Sequence, residues 1–476
     1  MEKNDSANLG PHFRLLTEAQ IQDLHLATLH VLEQTGVRVE GKEALDLLQG
    51  AGAKVEPNGI VRLPPQLVEQ AISTAPQTVT LYHRDQQGEM VLEGRRFYFG
   101  TGSGCPFTYD LDSGELRRTI KKDTEKFARL ADFLPNIDFV MSMGNCSDVP
   151  SQAVYWQEFQ GMVTQTTKPI CFTAETLEDV KRIYEASAVI AGDMDRFRAH
   201  PFAILYDEPQ APLCHPRPAV EKLLYCAQAR LPVVYAAGVA AGGTGPATLA
   251  GAVVQANAEE LSGLVIHQLR AQGAPFVYGC TVTILDMATS NYTHGCPEQF
   301  VMNTARAELA HFYDLPIFGV GGRTDSKAAD VQAGIEYALS AFLEVLCGAG
   351  MIHDVGYLGT GLVSSYEMTV LADELAGMIK RIKRGIDINP ETLAEEVIGQ
   401  VGPGGQYLTH DHTRRHFRKE FWFPEFMNRD NLALWQEKGR PELNRRLNQK
   451  AKEILKEHQP PQLPEDVLEK ISKILS

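Results

Sequence analysis

Short apolar runs that end in glycine, small or polar residues recur eight times between residues 96 and 361. Segments with a helical spacing of apolar residues lie between them, for example at 220–229, 258–271, 301–312 and 331–347. Eight strands that each precede a helix predict a parallel (β/α)8 TIM barrel. An open, doubly wound sheet is the alternative, because it uses the same alternation of strands and helices. The predicted strands lie at 97–100, 139–144, 170–173, 202–206, 233–238, 276–280, 317–321 and 351–355.

The regions on either side of this repeat follow other patterns. Residues 1–95 contain a helical segment that begins after Thr17, where Thr17 and Gln20 form a capping signal, and a short strand near 78–82. We therefore expect a small N-terminal α+β cap over 1–95, the barrel over 96–400, and a C-terminal loop and helical extension over 401–476. The charged tail of the extension is expected to pack on the barrel or to act as an oligomer arm.

Composition narrows the classes of partner. The chain has 44% hydrophobic and 22% charged residues and a net charge of −15, which argues against nucleic acid or an anionic membrane as a partner. The first residues lack the apolar core of a secretory signal, and no apolar run approaches the roughly 18 residues of a membrane helix, so we expect a cytoplasmic protein. The 8 cysteines include no Cys-x-x-Cys pair, so neither a disulfide framework nor a thiolate zinc site is indicated.

The polar residues that follow the predicted strands are the candidates for function, because a TIM barrel carries its chemistry at the carboxyl ends of its strands. Glu208, Arg323 and His353 are the strongest, since a charged group beside an apolar strand needs a partner or a ligand. For other polar residues at these ends, a helix cap or a solvated loop is the competing interpretation. Aromatic residues near the same end can form a cage for a cation, although aromatics at strand spacing are usually core residues. Those retained as substrate-binding candidates are Tyr98, Phe172, Tyr206 and Tyr357.

Several familiar chemistries lack their residues. The one His-x-His pair, His410 and His412, lies beyond the eighth unit, and no lysine lies inside a predicted strand where a Schiff base would form. The sequence contains no Gly-x-Ser-x-Gly elbow and no convincing phosphate-binding glycine loop. We therefore expect no bound metal, and we assign no residue to a chemical step. We expect a mechanism based on positioning the substrate.

Three long motifs resemble the trimethylamine methyltransferase family. They are VGGRTDSK at 320–327 with DVQAG at 330–334, GAGMI at 348–352, and GPGGQYL at 402–408 with the histidine and threonine at 412–413. The resemblance covers essentially the whole chain. It implies a (β/α)8 barrel that moves a methyl group from an amine to the cobalt of a separate corrinoid protein.

One difference from part of this family indicates the substrate. The archaeal trimethylamine enzymes carry pyrrolysine in the glycine-rich loop after the seventh strand. This chain has only standard residues there, with Arg323 at or next to that position. Members without pyrrolysine are associated with quaternary amines, so the resemblance implies glycine betaine as substrate, with dimethylglycine and methylcobalamin as products. Another betaine, such as proline betaine, carnitine or butyrobetaine, is the alternative. A barrel that binds a quaternary amine without catalysis is a further alternative.

The chemistry of a quaternary amine suits this interpretation. The amine leaves as a neutral molecule, so a strong nucleophile can take its methyl group without an acid or a covalent adduct. Aromatic faces would hold the ammonium, whereas Glu208 placed directly on the nitrogen would slow the transfer by stabilising the ground state. Arg323 would bind the betaine carboxylate through its fork, and His353 would add a second donor. Asp325 or Asp354 would orient a neighbouring group, and the glycines before Arg323 would leave room for substrate and cobalt.

The cobalamin itself is expected on a partner protein. The corrinoid-binding pattern Asp-x-His-x-x-Gly does not occur in the sequence. We expect the partner to dock over the barrel mouth at the loops 242–246 and 402–413, with Gly243, Thr244, Gly405 and His410 as contacts. We also expect a homo-oligomer.

Overall fold

The computed structural model describes residues 10–475, apart from the side chain of Cys280. Its strands are β1 (Val37–Val39), β2 (Lys54–Val55), β3 (Ile60–Arg62), β4 (Val79–Tyr82), β5 (Glu89–Leu92), β6 (Tyr98–Thr101), β7 (Phe107–Tyr109), β8 (Leu116–Arg118), β9 (Ile170–Thr173), β10 (Ala203–Asp207), β11 (Cys214–His215), β12 (Val233–Ala241), β13 (Phe276–Ile284), β14 (Ile317–Val320), β15 (Met351–Val355), β16 (Tyr357–Leu358) and β17 (Val363–Ser364).

Helices alternate with these strands through most of the chain. They are α1 (Glu18–His30), α2 (Lys42–Gly50), α3 (Pro65–Thr74), α4 (Lys121–Phe133), α5 (Val154–Val163), α6 (Leu177–Ala191), α7 (Met194–Ala199), α8 (Arg217–Ala229), α9 (Leu249–Arg270), α10 (Pro297–Phe312), α11 (Val331–Cys347), α12 (Tyr366–Arg384), α13 (Pro390–Leu393), α14 (Glu395–Val401), α15 (Asp411–Glu420), α16 (Leu432–Glu437), α17 (Leu443–Glu457) and α18 (Glu465–Ile474), with a π-helical turn at Val31–Thr35 and a 3-10 turn at Ser151–Ala153.

Eight parallel strands close into a barrel. Seven of them hydrogen-bond in the order β6, β15, β14, β13, β12, β10, β9. Parallel bridges from Phe139 to Gly100 and from Val140 to Ile170 supply the remaining strand between β6 and β9 and complete the circle. Seven of the eight predicted strands are confirmed as strands, and the predicted strand at 139–144 is reduced to the bridges at Phe139 and Val140. The open sheet is wrong, because these bridges close the circle. The outer helices run back from the carboxyl ends of the strands, which form the barrel mouth.

The strands are apolar on both faces because both are buried. Side chains of one parity, such as Ile204, Val234 and Phe318, fill the barrel interior, and those of the other parity pack against the outer helices. This difference decides which strand residues can reach the mouth.

A β-hairpin fills the amino end of the barrel. Strands β4 and β5 pair antiparallel, and Leu81, Met90 and Leu92 pack in the same cluster as the interior strand residues. Each of these three side chains is at most 2% exposed. The interior is therefore closed at the end opposite the mouth.

The two flanking regions pack on the outside of the barrel. In the cap, α1 begins at the predicted N-cap Thr17 and packs with α2 and α3 against the long helix α9, and β1 pairs with β11 of the barrel region. In the C-terminal extension, α17 lies on α4 and α12, and α18 lies on α6. The division of the chain into a cap, a barrel and an extension stays a prediction.

Candidate functional site

Three interior rings meet near the mouth. The ring centroids of Phe318 on β14 and His353 on β15 lie 4.1 Å apart with an interplanar angle of 27°. Tyr206, on β10 across the barrel, lies 5.6 Å from Phe318 and 6.1 Å from His353. Two of the predicted substrate-binding residues, Tyr206 and His353, are therefore brought together.

Arg323 lies directly beyond β14 and is 7% exposed. Its Nε and Nη2 both donate to the same oxygen of Asp354, Oδ2. Within the described part of the chain its Nη1 is buried and makes no hydrogen bond. Because guanidinium has five N–H donors in a plane, this pairing leaves the Nη1–Nη2 edge for another acceptor.

Asp354 reaches Arg323 because the last barrel strand is irregular. Asp354 has a φ of 81°, which is rare outside glycine, and the register of β15 against β6 shifts between Ile352 and Val355. In a regular strand, His353 and Asp354 would face opposite sides. Here Asp354 Oδ2 lies 3.2 Å from His353 Nε2, so both side chains lie beside Arg323. Backbone strain of this kind clusters at functional sites.

Both ring nitrogens of His353 face protein oxygens. Its Nδ1 lies 2.7 Å from the carbonyl oxygen of Gly319, and its Nε2 lies 3.2 Å from Asp354 Oδ2. Burial lowers the pKa of His353 to about 4, although Asp354 acts in the opposite direction. Both nitrogens are therefore engaged within the protein, and the role of His353 as a second donor to a carboxylate stays a prediction.

Tyr206 and Glu208 form the opposite wall of the mouth. The Tyr206 hydroxyl donates to Glu208 Oε2 at 3.2 Å. Burial raises the pKa of Tyr206, so its hydroxyl keeps the proton that it donates. The Glu208 side chain retains solvent-accessible surface, yet enclosure by protein raises the pKa of its carboxyl, against the hydrogen bond from Tyr206.

Asp325 ties three mouth loops together. Its carboxylate accepts from the backbone N–H of His294 at 2.7 Å, from Gly295 N at 3.2 Å and from Thr360 Oγ1 at 2.9 Å. The loops of His294, Asp325 and Thr360 follow β13, β14 and β16. Asp325 is therefore a structural neighbour of the site, because its hydrogen bonds hold the loop of Arg323 in place.

The same loop brings in a residue that the sequence analysis missed. His294 is near Arg323 and His353, and burial lowers the pKa of its ring, with the charge of Arg323 acting in the same direction. Its Nδ1 makes no hydrogen bond to any described residue. It lies in a loop after β13, where many polar residues crowd the sequence and none stands out.

The glycines before Arg323 do not open space for a ligand. Gly322 has a φ of 69°, and a Cβ there would lie 2.9 Å from Val355 Cγ1. At Gly321 a Cβ would lie 2.8 Å from Ile352 Cγ2. Both glycines instead let the loop pack closely on β15, which corrects the expectation that they make room for substrate and cobalt.

Two cavities open at the mouth on either side. One, of about 350 Å³, is lined among others by Tyr155, Glu175, Tyr206 and Glu208. The other, of about 680 Å³, lies beside the loops that Asp325 joins, and its lining includes His294, Asp325, Lys327 and several threonines. Tyr155, on α5, is a second residue that strand ends could not indicate.

Two of the predicted aromatic residues, Tyr98 and Phe172, lie away from the mouth. Tyr98 starts its strand at the closed end, where its hydroxyl lies 3.1 Å from Val91 N in the hairpin. Phe172 has the outward parity and packs with Phe159 and Tyr184 of the outer helices, at centroid distances of 5.9 and 5.2 Å. Neither joins Tyr206 and His353.

Tyr357 lies at the edge of the mouth. It belongs to a small sheet formed by β16, β17, β7 and β8, and its hydroxyl donates to the carbonyl of Ser103. Its ring covers Gly102, where a Cβ would lie 2.2 Å from the ring carbon Cζ. It is 5% exposed, so little of its ring is left for a ligand to contact.

A two-stranded ribbon projects beyond the mouth. The pairing of β12 with β13 continues to Ala241 and Ile284, whereas β10 pairs with β12 only as far as Tyr235. The tip carries Gly243 and Thr244, whose Oγ1 accepts from Ala240 N at 2.9 Å. Two of the four predicted partner contacts therefore lie above the mouth.

The other two predicted contacts lie on an arm formed by residues 386–420. Its last residue, Glu420, binds Arg381 and Arg384 near the end of α12. That end of α12 is at the closed end of the barrel, because the outer helices run opposite to the strands. Gly405 and His410 make hydrogen bonds within the arm, to Gly402 and His412. The arm is thus anchored at the end opposite the mouth.

Residues 10–475 contain no group of three or more His, Cys, Asp or Glu side chains placed to hold a metal ion. No helix in the same range has the length and apolar character needed to cross a membrane.

Comparisons with known proteins place these features in context. The model of the family described as trimethylamine methyltransferase (MTTB) matches residues 3–475. A trimethylamine methyltransferase, MttB, of Desulfitobacterium hafniense strain DCB-2 is 32% identical over 461 residues, 96% of this chain and 92% of that protein. A glycine betaine methyltransferase of Desulfitobacterium hafniense strain Y51 is 32% identical over 470 residues, 98% of each chain. The crystal structure of the Methanosarcina barkeri monomethylamine methyltransferase matches with a TM-score of 0.54 at 11% identity, covering 94% of this chain and 88% of that one.

Proposed function

We propose a function from the premise that the chain belongs to the trimethylamine methyltransferase family: it transfers a methyl group from a quaternary amine to the cobalt of a corrinoid carried by a partner protein. Glycine betaine is the proposed substrate. A relative named glycine betaine methyltransferase that matches over 98% of both chains supports this choice.

The observation that carries the proposal is the free edge of Arg323. A buried guanidinium with an unused Nη1 pays a desolvation cost that a ligand carboxylate would offset by accepting two parallel hydrogen bonds. Asp354 holds the other edge and fixes the plane of the group. A betaine has such a carboxylate, whereas a simple methylamine does not.

The transfer requires no acid or base from the protein at the nitrogen. The corrinoid of the partner would supply the nucleophile that attacks the methyl carbon, and the amine would leave as a neutral molecule with the electron pair of the broken C–N bond. The protein binds the carboxylate at Arg323, surrounds the ammonium with the mouth residues and limits water there. No described residue needs to donate or accept a proton at the nitrogen. This agrees with a mouth whose His353 is neutral and already hydrogen-bonded.

The corrinoid partner is proposed to dock on the ribbon side of the mouth. The tip residues Gly243 and Thr244 stand above the barrel, and Met287 and Tyr292 beside them are 67% and 50% exposed. The cavity of about 680 Å³ next to this ribbon is lined by threonine, asparagine and aspartate side chains, which can hydrogen-bond to amide groups like those around a corrin ring. Gly405 and His410 lie on an arm that is anchored at the closed end, so the ribbon is the proposed contact surface.

A spectroscopic assay tests this function. Purified protein is mixed with cob(I)alamin and one amine of a panel, and the absorbance of methylcob(III)alamin is followed. We expect glycine betaine or another betaine to react and choline, which lacks the carboxylate, to react more weakly. Transfer from trimethylamine but not from any betaine would refute the substrate. Binding of a betaine without any transfer, to free or protein-bound corrinoid, would favour the non-catalytic binder.

A further inference from the structure

The smaller mouth cavity has features that point to a cationic ligand. Its walls include the rings of Tyr155 and Tyr206 and the carboxylates of Glu175 and Glu208. We call this cavity, as lined by these four residues, the acidic lobe. Its volume of about 350 Å³ falls at the lower end of the range of about 300–1,000 Å³ that small-molecule sites occupy.

The charges in the acidic lobe do not cancel. Asp207, also in its lining, pairs with Lys222 at 2.9 Å, so these two groups neutralise each other. Glu175 and Glu208 have no ion-pair partner in the described chain. Burial is the main cause that raises the pKa of the Tyr155 hydroxyl, and both carboxylates act in the same direction. A ligand that enters here meets negative charge and aromatic faces together.

A buried acceptor in the lining is also unsatisfied. Asp207 is 2% exposed, and its Oδ2 has no hydrogen-bond partner in the described structure. A buried carboxylate oxygen without a donor is costly unless positive charge lies nearby. Lys222 satisfies the other oxygen and the carbonyl of Ala174, at 2.7 Å. A bound cation would offset the charge on the remaining oxygen.

Tyr206 separates this acidic lobe from the cationic side of the mouth. Its ring lies 6.1 Å from that of His353, which adjoins the Asp354–Arg323 pair. Carboxylates and tyrosine rings therefore line the lobe on one side of Tyr206, and the Asp354–Arg323 pair, which is not part of that lining, lies beyond the ring of His353. A small zwitterion can satisfy both sides at once only in one orientation.

Resting on the function proposed above, we infer that the acidic lobe receives the trimethylammonium group of the substrate, with Tyr155 as its specificity-determining wall. A trimethylammonium group donates no conventional N–H hydrogen bond and spreads its charge over its methyl groups. It therefore suits ring faces, with the carboxylates at longer range and not directly on the nitrogen, where they would stabilise the ground state. The carboxylate of the same molecule then extends past Tyr206 to Arg323.

The test compares a cation with its neutral isostere. Binding of glycine betaine and of 3,3-dimethylbutyrate, in which a tert-butyl group replaces trimethylammonium, is measured by calorimetry for wild type, Tyr155→Phe and Tyr155→Leu. We expect the wild type to prefer the cation and Tyr155→Phe to keep most of that preference. Tyr155→Leu should lower the affinity for glycine betaine by about 2- to 30-fold and leave that for the isostere unchanged. Tyr225→Leu, a half-buried tyrosine one turn beyond Lys222 on α8, is the matched control.

Two further measurements keep the result interpretable. Glu175 is exposed, so Glu175→Gln should fold normally and should weaken betaine binding more at low salt than at high salt. Binding of tetramethylammonium, measured without corrinoid, tests the acidic lobe independently of methyl transfer. If the wild type transfers no methyl group but Tyr155→Leu weakens tetramethylammonium binding, the proposed methyl transfer is refuted and the assignment of the acidic lobe to a quaternary ammonium is supported. If transfer occurs and Tyr155→Leu weakens cation and isostere equally, or neither, the lobe assignment is overturned.

Discussion

Arg323 and Asp354 allow stability and substrate binding to be separated. Replacing Arg323 by methionine removes the guanidinium and leaves Asp354, which is 2% exposed, without its main partner. Breaking a buried pair in this way costs about 3–5 kcal/mol of unfolding free energy. The single variant is therefore expected to be destabilised, and a loss of activity in it would say little about substrate.

The double variant Arg323→Met with Asp354→Asn removes both charges and should recover most of this stability, because no buried charge is left. Asparagine also tolerates the φ of 81° at position 354. If Arg323 anchors a carboxylate, the double variant loses charge-assisted hydrogen bonds worth about 1.5–3 kcal/mol. This corresponds to a rise of about 10- to 150-fold in the Kd of glycine betaine.

Urea unfolding and calorimetry measure the two effects independently. Tetramethylammonium, which has no carboxylate, is the control ligand and should bind wild type and double variant alike. A double variant that unfolds like the wild type and binds glycine betaine with the wild-type Kd would refute the anchor.

Three other outcomes follow from the structure. Burial raises the pKa of Glu158 to about 8, so the folded state holds a proton there that the unfolded state releases above about pH 4.5. The free energy of unfolding should therefore fall as the pH rises from about 5 to 8. Glu158→Gln should flatten this dependence when unfolding by urea is measured across that pH range. Phe172 packs outside the barrel interior, so Phe172→Leu should cost about 1 kcal/mol in unfolding free energy while the KM for the amine stays unchanged. Met287→Glu, beside the ribbon tip, should raise the KM for the corrinoid protein but not for free cob(I)alamin, and Leu408→Glu on the arm should change neither; equal effects of the two would contradict docking at the ribbon.

The barrel was predictable because its signal is repeated and local. Each strand is a short apolar run followed by glycine or polar residues, and eight such runs leave few topologies. The capping signal at Thr17 likewise depends on residues next to each other. Such features need no knowledge of what lies across the fold.

The site was less predictable because it depends on parity and on distant loops. Phe172 and Tyr206 look alike in sequence, since parallel strands are apolar on both faces, yet one points outward and the other inward. Tyr155 comes from a helix and His294 from a long loop, so no strand end marks either. The ion pair at Arg323 was equally hidden, because a strand irregularity turns Asp354 towards it.

The hairpin of β4 and β5 has a consequence for kinetics. With Leu81, Met90 and Leu92 filling the closed end, the interior has a single entrance, and the proposed partner covers it while the methyl group moves. Amine must then enter before the partner arrives, and demethylated product must wait until the partner departs. Steady-state kinetics should show compulsory ordered binding. Excess corrinoid protein should inhibit turnover, because it binds barrels that hold no amine and blocks their entrance.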